Sequence, residues 1–170
     1  MNVVGVDVLR YYWKSKSRDI AAQDLTRIIR YYQRQWQRRK VVLIGFSFGA
    51  DVLPFLIDRL PVAVRDDVSL VSLLSPERTT DFEVDPSGWF GEQSSSGIPI
   101  EPALQRLSLI HLQCIYGADE SDTSLCTTPT AAVHEVLRKS GGHHFDENYD
   151  ELANDILAAT YGNRMLSNRG

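Results

Sequence analysis

The chain has 170 residues, enough for one domain with a sizeable core but thin for two. Apolar residues make up 43% and charged residues 24%, an ordinary globular balance, and no run of roughly 18 apolar residues marks a membrane span. The net charge of −4 argues against nucleic acid as the main partner. Residues 3–8 (VVGVDV) form a short β-branched run expected to be a buried parallel strand. They lead into the aromatic stretch Leu9-Arg-Tyr-Tyr-Trp13. A helix is predicted from Ser17, a suitable N-cap, with Ile20, Leu25, Ile28, Ile29, Tyr32 and Trp36 recurring along its apolar side. The basic run 34–40 (RQWQRRK) closes that helix, where cations suit the negative end of the macrodipole.

Residues 41–44 (VVLI) read as a central strand that runs into Gly45. A helix over 48–60 follows, holding Pro54, which removes a backbone donor and should kink the helix or restrict it to one side. Residues 68–74 (VSLVSLL) are a third strand, and a long connection, 75–101, includes an exposed flexible tip at GEQSSSG (91–97). Next come a short helix near 102–107, a strand at 109–116 (LIHLQCIY), a fifth strand at 133–137 and a closing helix at 147–161. Strands alternating with helices indicate a mainly parallel sheet covered on both faces, a three-layer α/β sandwich in a single domain.

Gly45-Phe46-Ser47-Phe48-Gly49 is a G-x-S-x-G pentapeptide set between an apolar strand and a helix pattern. That setting is the strand–turn–helix of a nucleophile elbow, where a serine sits on a strained turn. Flanking side chains would collide with neighbouring backbone, which explains the glycines. The helix N-terminus behind the serine presents free N–H groups to a developing oxyanion, and Phe48 N–H should be one of them.

A serine hydroxyl needs a base within hydrogen-bond reach. His111 and His134 fall in or beside strands and read as structural. His143 and His144, in Gly-Gly-His-His-Phe145 between the last strand and last helix, stand where an α/β-hydrolase places its histidine. His143 is preferred, because esterases and thioesterases of this fold resemble a GGH-x-F pattern with the first His catalytic. The acid is expected in Gly117-Ala-Asp-Glu-Ser-Asp122. Asp119 is the first choice, Glu120 its rival because the fold often places its acid three residues beyond the glycine, and Asp122 third. Composition leaves Cys114 and Cys126 open to either redox state, and their spacing does not fit a zinc site. No cofactor is called for.

Residues 4–13 (VGVDVLRYYW), 42–55 (VLIGFSFGADVLPF), 114–119 (CIYGAD) and 142–146 (GHHFD) resemble the VirJ/AcvB family over nearly the whole chain. The resemblance implies an α/β-hydrolase fold in a bacterial periplasmic protein associated with virulence and type IV secretion. It also implies hydrolysis of lysyl-phosphatidylglycerol, an aminoacylated phospholipid, with peripheral membrane contact. In that oxidising compartment Cys114 and Cys126 become a disulfide bracing the loop that bears Asp119. Family members carry, ahead of the segment matching Val3, another strand and a Gly-rich loop expected to supply the second oxyanion donor. The chain begins after that point and so reads as shortened, at a cost of roughly 10²- to 10³-fold in rate for one lost donor. An open sheet edge is expected as well.

The expected reaction is attack by Ser47 on an ester carbonyl with His143 as proton acceptor, followed by hydrolysis of the acyl-enzyme. Asp51, Asp122 and Asp146 are candidate receptors for a lysyl group's ammonium, although Asp51, one helical turn past the nucleophile, equally suits a helix cap or an arginine pair. Trp13 with Tyr11 and Tyr12 reads either as pocket lining or as core. The competing class is a non-catalytic docking protein for type IV secretion components or substrates.

Overall fold

A computed structural model describes residues 1–82 and 97–167 of the chain. Among these residues, six α-helices and six strands follow in the order α1 (Val8–Tyr11), α2 (Arg18–Trp36), β1 (Val41–Phe46), α3 (Phe48–Ile57), α4 (Val62–Arg65), β2 (Val68–Leu74), β3 (Thr79–Thr80), β4 (Ile98–Pro99), α5 (Glu101–Gln105), β5 (Leu112–Gly117), β6 (Glu135–Lys139) and α6 (Tyr149–Ser167). The main sheet has the order β1-β2-β5-β6 with every pair parallel, and β3 with β4 forms a small antiparallel pair. Each parallel step needs a crossover, which puts the C-terminal ends of all four strands on one edge. That edge carries the site.

Along β2 the side chains alternate between faces, as strand geometry requires. Val71 and Leu73 join Ala50, Phe55, Ile57 and Leu104 in the larger core under α3 and α5. Leu70 and Leu74 join Ile115, Phe145, Leu152 and Ile156 under α6. Ser72 lies on the α6 side too, and its hydroxyl donates to Gln113 Oε1 at 2.9 Å, both residues being fully buried. The pair is matched within the sheet, so burying it costs little. Residues 49–57 of α3 are all buried, in keeping with its apolar sequence on every side. The helix accommodates Pro54 and ends at Ile57, short of the expected residue 60.

Several elements differ from expectation. Residues 3–8 form no strand: Val3, Val4 and Val6 are exposed, and the Asp7 carboxylate instead caps the single turn α1 by accepting from Arg10 N at 3.0 Å. β-Branched residues favour extended backbone, but a strand is stabilised only by a ladder, and β1 is an edge strand with which these residues do not pair. Ile44 and Phe46 on β1 remain exposed accordingly. β5 starts at Leu112 and not at Leu109, whose side chain is fully exposed. β6 starts two residues later than expected, at Glu135. The GEQSSSG stretch lies outside the described residues but for its last glycine.

At the other end of the sheet the basic run has a structural role. Asp67, buried just before β2, receives Arg39 Nε at 2.6 Å, Gln33 Nε2 at 3.0 Å and Arg30 at 3.4 Å. Burial works against ionisation of Asp67, yet these hydrogen bonds and the two guanidinium charges outweigh it and hold its carboxyl below the ordinary range. His111 and His134 stack at the same end, with ring centroids 5.0 Å apart. His134 Nδ1 accepts from Leu112 N at 3.2 Å, which assigns it to the fold as expected.

Candidate active site

Ser47 occupies the turn between β1 and α3 with φ 53° and ψ −129°, a left-handed conformation unusual for a side-chain-bearing residue. Its own amide continues the sheet by donating to Leu74 O at 2.9 Å, so the strained turn is anchored at the strand edge. Gly45 makes the turn feasible. A Cβ there would sit 2.7 Å from the Ala50 Cα and from the Gly49 carbonyl oxygen, both backbone. Gly49 differs, because a Cβ on it would meet only the Val8 side chain at an ordinary 3.6 Å. The collision expected at both motif glycines is therefore confined to the first. Phe48 is the first residue of α3, so its N–H has no intrahelical acceptor and is free to face an oxyanion.

The histidine loop follows β6, and His143 Nε2 lies 2.8 Å from Ser47 Oγ. On its other side, His143 Nδ1 lies 2.6 Å from Glu120 Oε1. With Nδ1 protonated toward the carboxylate, Nε2 is left as the acceptor for the serine proton, the arrangement a general base requires. The acid meeting the imidazole is thus Glu120 and not Asp119. A 3-10 turn over Ala118–Glu120 separates neighbouring side chains by about a third of a turn. It leaves Asp119 exposed while Glu120 is half-buried against the ring. The spacing of three residues beyond Gly117 was the signal that pointed to it. Asp122 is exposed, and the carboxylate on His143 Nδ1 is that of Glu120.

Three further features shape the acid loop and its junction with the histidine loop. Gly117 ends β5 where a Cβ would lie 2.2 Å from the Gly142 carbonyl oxygen, so the loops close on each other only because this residue is glycine. Asp119 N donates to Gly141 O at 3.0 Å across the same junction. Cys114 in β5 and Cys126 are joined as a disulfide that closes the loop bearing Asp119 and Glu120. Sequence reasoning did not single out Gly117, although a glycine at a strand end before an acidic turn is the kind of signal that marks a close backbone approach.

The remaining candidates fall outside this line. His144 is exposed and leaves the relay to its neighbour, its ring centroid 5.8 Å from that of Phe46. Asp51 is buried, and its Oδ1 accepts from Glu77 N at 2.8 Å. It is turned into the fold and does not present itself to an ammonium group. Burial pushes its carboxyl up to about 8, against the effect of the Glu77 N–H. Asp146 is exposed on the histidine loop. Trp13 is 64% exposed on the surface, whereas Tyr12 is core, packed edge-on to Phe48 at 5.5 Å between ring centroids. Tyr11 donates its hydroxyl to Asp24 Oδ2 at 2.7 Å. Among the described residues, no group of His, Cys, Asp or Glu is arranged to hold a metal ion, and no helix is long and apolar enough to cross a membrane.

A profile of the family described as bacterial virulence protein (VirJ) matches residues 1–164. The chain belongs to the VirJ family. No curated protein matches its sequence. Among solved structures, a lipase-esterase related protein from Clostridium acetobutylicum is similar over 89% of this chain and 75% of its own, with TM-score 0.50 and 15% identity. A meta-cleavage product hydrolase from Pseudomonas fluorescens IP01 is similar over 88% and 73%, with TM-score 0.51 and 12% identity. At such identities these neighbours establish the fold, and it is that of the α/β-hydrolases. This VirJ-family chain accordingly joins a hydrolase-type fold to a serine, an imidazole and a carboxylate in line at the strand ends.

Proposed function

We propose that this chain is a serine esterase in which Ser47 is the nucleophile, His143 the base and Glu120 the acid that orients it. The observation that carries the reading is the continuous line from Glu120 Oε1 through the His143 ring to Ser47 Oγ, with steps of 2.6 and 2.8 Å. Ser47 Oγ attacks the ester carbonyl as its proton passes to His143 Nε2, and Glu120 stabilises the imidazolium that forms. The Phe48 N–H receives the oxyanion. Collapse of the tetrahedral intermediate expels the alcohol, which takes the proton from His143. Water then repeats the sequence on the acyl-enzyme and frees the acid.

Within that class the substrate is an aminoacyl ester such as lysyl-phosphatidylglycerol, met in the periplasm. Membership of a bacterial virulence family supports this choice, and the Cys114–Cys126 disulfide suits an oxidising compartment. The exposed carboxylates Asp119, Asp122 and Asp146, on the two loops that frame Ser47, supply negative charge for the lysyl ammonium groups. Incubation with vesicles containing lysyl-phosphatidylglycerol, followed by thin-layer chromatography, should show phosphatidylglycerol and free lysine with the wild type and neither with Ser47→Ala. Turnover of simple esters without loss of the lysyl lipid would retain the esterase and discard this substrate. A folded chain inert toward both would favour the docking role in type IV secretion.

A further inference from the structure

The Ser47–His143–Glu120 line is half of a closed circuit. Asp51 N donates to Ser47 O at 3.1 Å, within the first turn of α3. The Asp51 carboxylate then accepts from Glu77 N at 2.8 Å, crossing to the corner after β2. One residue back, Pro76 O accepts from Leu125 N at 3.0 Å and from the Ser124 hydroxyl at 3.4 Å. Ser124 N donates to Glu120 O at 2.9 Å, and the Glu120 side chain meets His143, which meets Ser47. The same corner reaches the third loop: the buried Ser75, at φ 48°, directs its hydroxyl to His143 O at 3.5 Å. The segment 75–77 thus touches the nucleophile helix, the acid loop and the histidine loop.

Resting on the esterase reading, we infer that Asp51 is a positioning residue: its side chain fastens the 75–77 corner to the nucleophile helix and so sets the distance that His143 must span between Ser47 and Glu120. In the half of the circuit that bypasses His143, the other links are backbone groups or a serine hydroxyl backed by a parallel amide bond. Among the described residues, Asp51 supplies the side-chain hydrogen bond between α3 and the corner. Without it Glu77 N–H loses its acceptor in a part-buried place, and the corner has reason to move toward water. Displacement of a catalytic group by about 1 Å lowers rate on the order of 10²-fold. Geometry demands an acceptor at position 51, not a charge, because the group that donates to it is a neutral backbone N–H.

The test compares Asp51→Ala, Asp51→Asn and Asp67→Asn, the last being a destabilising control at the far end of the sheet. Two readouts are taken: the low-field proton resonance of His143 Nδ1 hydrogen-bonded to Glu120, and the rate of labelling by a fluorophosphonate. Asp51→Ala should shift or lose the resonance and slow labelling by about 10- to 100-fold. Asp51→Asn, which keeps the acceptor, should retain both, as should Asp67→Asn at temperatures below its melting. Should Asp51→Ala fail to fold, Asp51→Ser replaces it, since its side chain is too short to reach Glu77. Wild-type resonance and labelling in the Ala or Ser variant would overturn the inference. So would an Asn variant as impaired as Ala, which would make the charge the essential feature. Absence of labelling in the wild type, with the resonance still following Asp51, would sink the esterase reading and leave the positioning role standing.

Discussion

The two ends of the sheet are built on different principles. At the N-terminal end, polar groups are paired on ordinary backbone: Asp67 receives Arg39, Gln33 and Arg30, and His134 accepts from Leu112 N. At the C-terminal end the backbone itself is bent. Of seven described residues with positive φ, Ser47, Ser75, Gly141, Phe145, Asp146 and Glu147 all lie in loops leaving strand ends there, and Gln37, a helix C-cap, is the exception. Such conformations each cost of order 1–3 kcal/mol for non-glycine residues and persist where surrounding bonds over-determine them. One end uses its charges to hold the fold. The other uses strain, disulfide and hydrogen bonds to aim three side chains at one point.

The sharpest way to break this contrast is at the acid. Glu120→Gln should lower kcat by about 10³- to 10⁴-fold, since the imidazole loses its orienting charge. Asp119→Asn, one residue away on the same turn, should stay within about twofold of wild type. Steady-state kinetics on a soluble ester compares them, and a reversal of the two would return the acid role to Asp119. The motif glycines give a smaller effect. Gly45→Ala forces a Cβ against backbone and should cost about 1–3 kcal/mol or more by urea unfolding. Gly49→Ala meets only a side chain at contact distance and should change stability by less than about 1 kcal/mol.

Two aspartates make the comparison in pH. Burial raises the Asp51 carboxyl from 3.8 to about 8 in the fold, with Glu77 the charged group facing it. Between about 4 and about 8 the folded chain therefore keeps a proton that the unfolded chain has released, and its stability falls as pH rises through that window. Asp67 has the opposite sign. Its folded carboxyl lies below the ordinary value, so its contribution is present above about 4 and is lost as pH falls. Thermal melting from acid to mildly alkaline pH should show Asp51→Asn removing part of the alkaline-side loss, and Asp67→Asn removing part of the acid-side loss. Parallel curves for both variants would contradict this assignment of the two ends.

Much of this arrangement was legible in the residues. The apolar runs of β1, β2 and β5, the Gly-Phe-Ser-Phe-Gly turn and the paired histidines are local patterns, and local patterns survive folding. What escaped depends on distant partners or on angle. The choice between Asp119 and Glu120 turns on the rotation of one 3-10 turn, which spacing alone does not settle. Residues 3–8 have strand composition, yet a strand needs a ladder, and Asp7 finds a capping role instead. Asp51 read as an ammonium receptor, a helix cap or an arginine partner, because its actual partner, Glu77 N–H, comes from the corner after another strand. Gly117 was passed over because the backbone it admits, at Gly142, belongs to the following loop.

The most direct measurement is intact-protein mass spectrometry after exposure to a fluorophosphonate, with the adduct mapped by peptide. The expected result is one phosphonyl group on Ser47 in the wild type, none in Ser47→Ala, and strongly slowed addition in His143→Ala. A folded wild-type chain that takes up no label, or one labelled equally in Ser47→Ala, would contradict it.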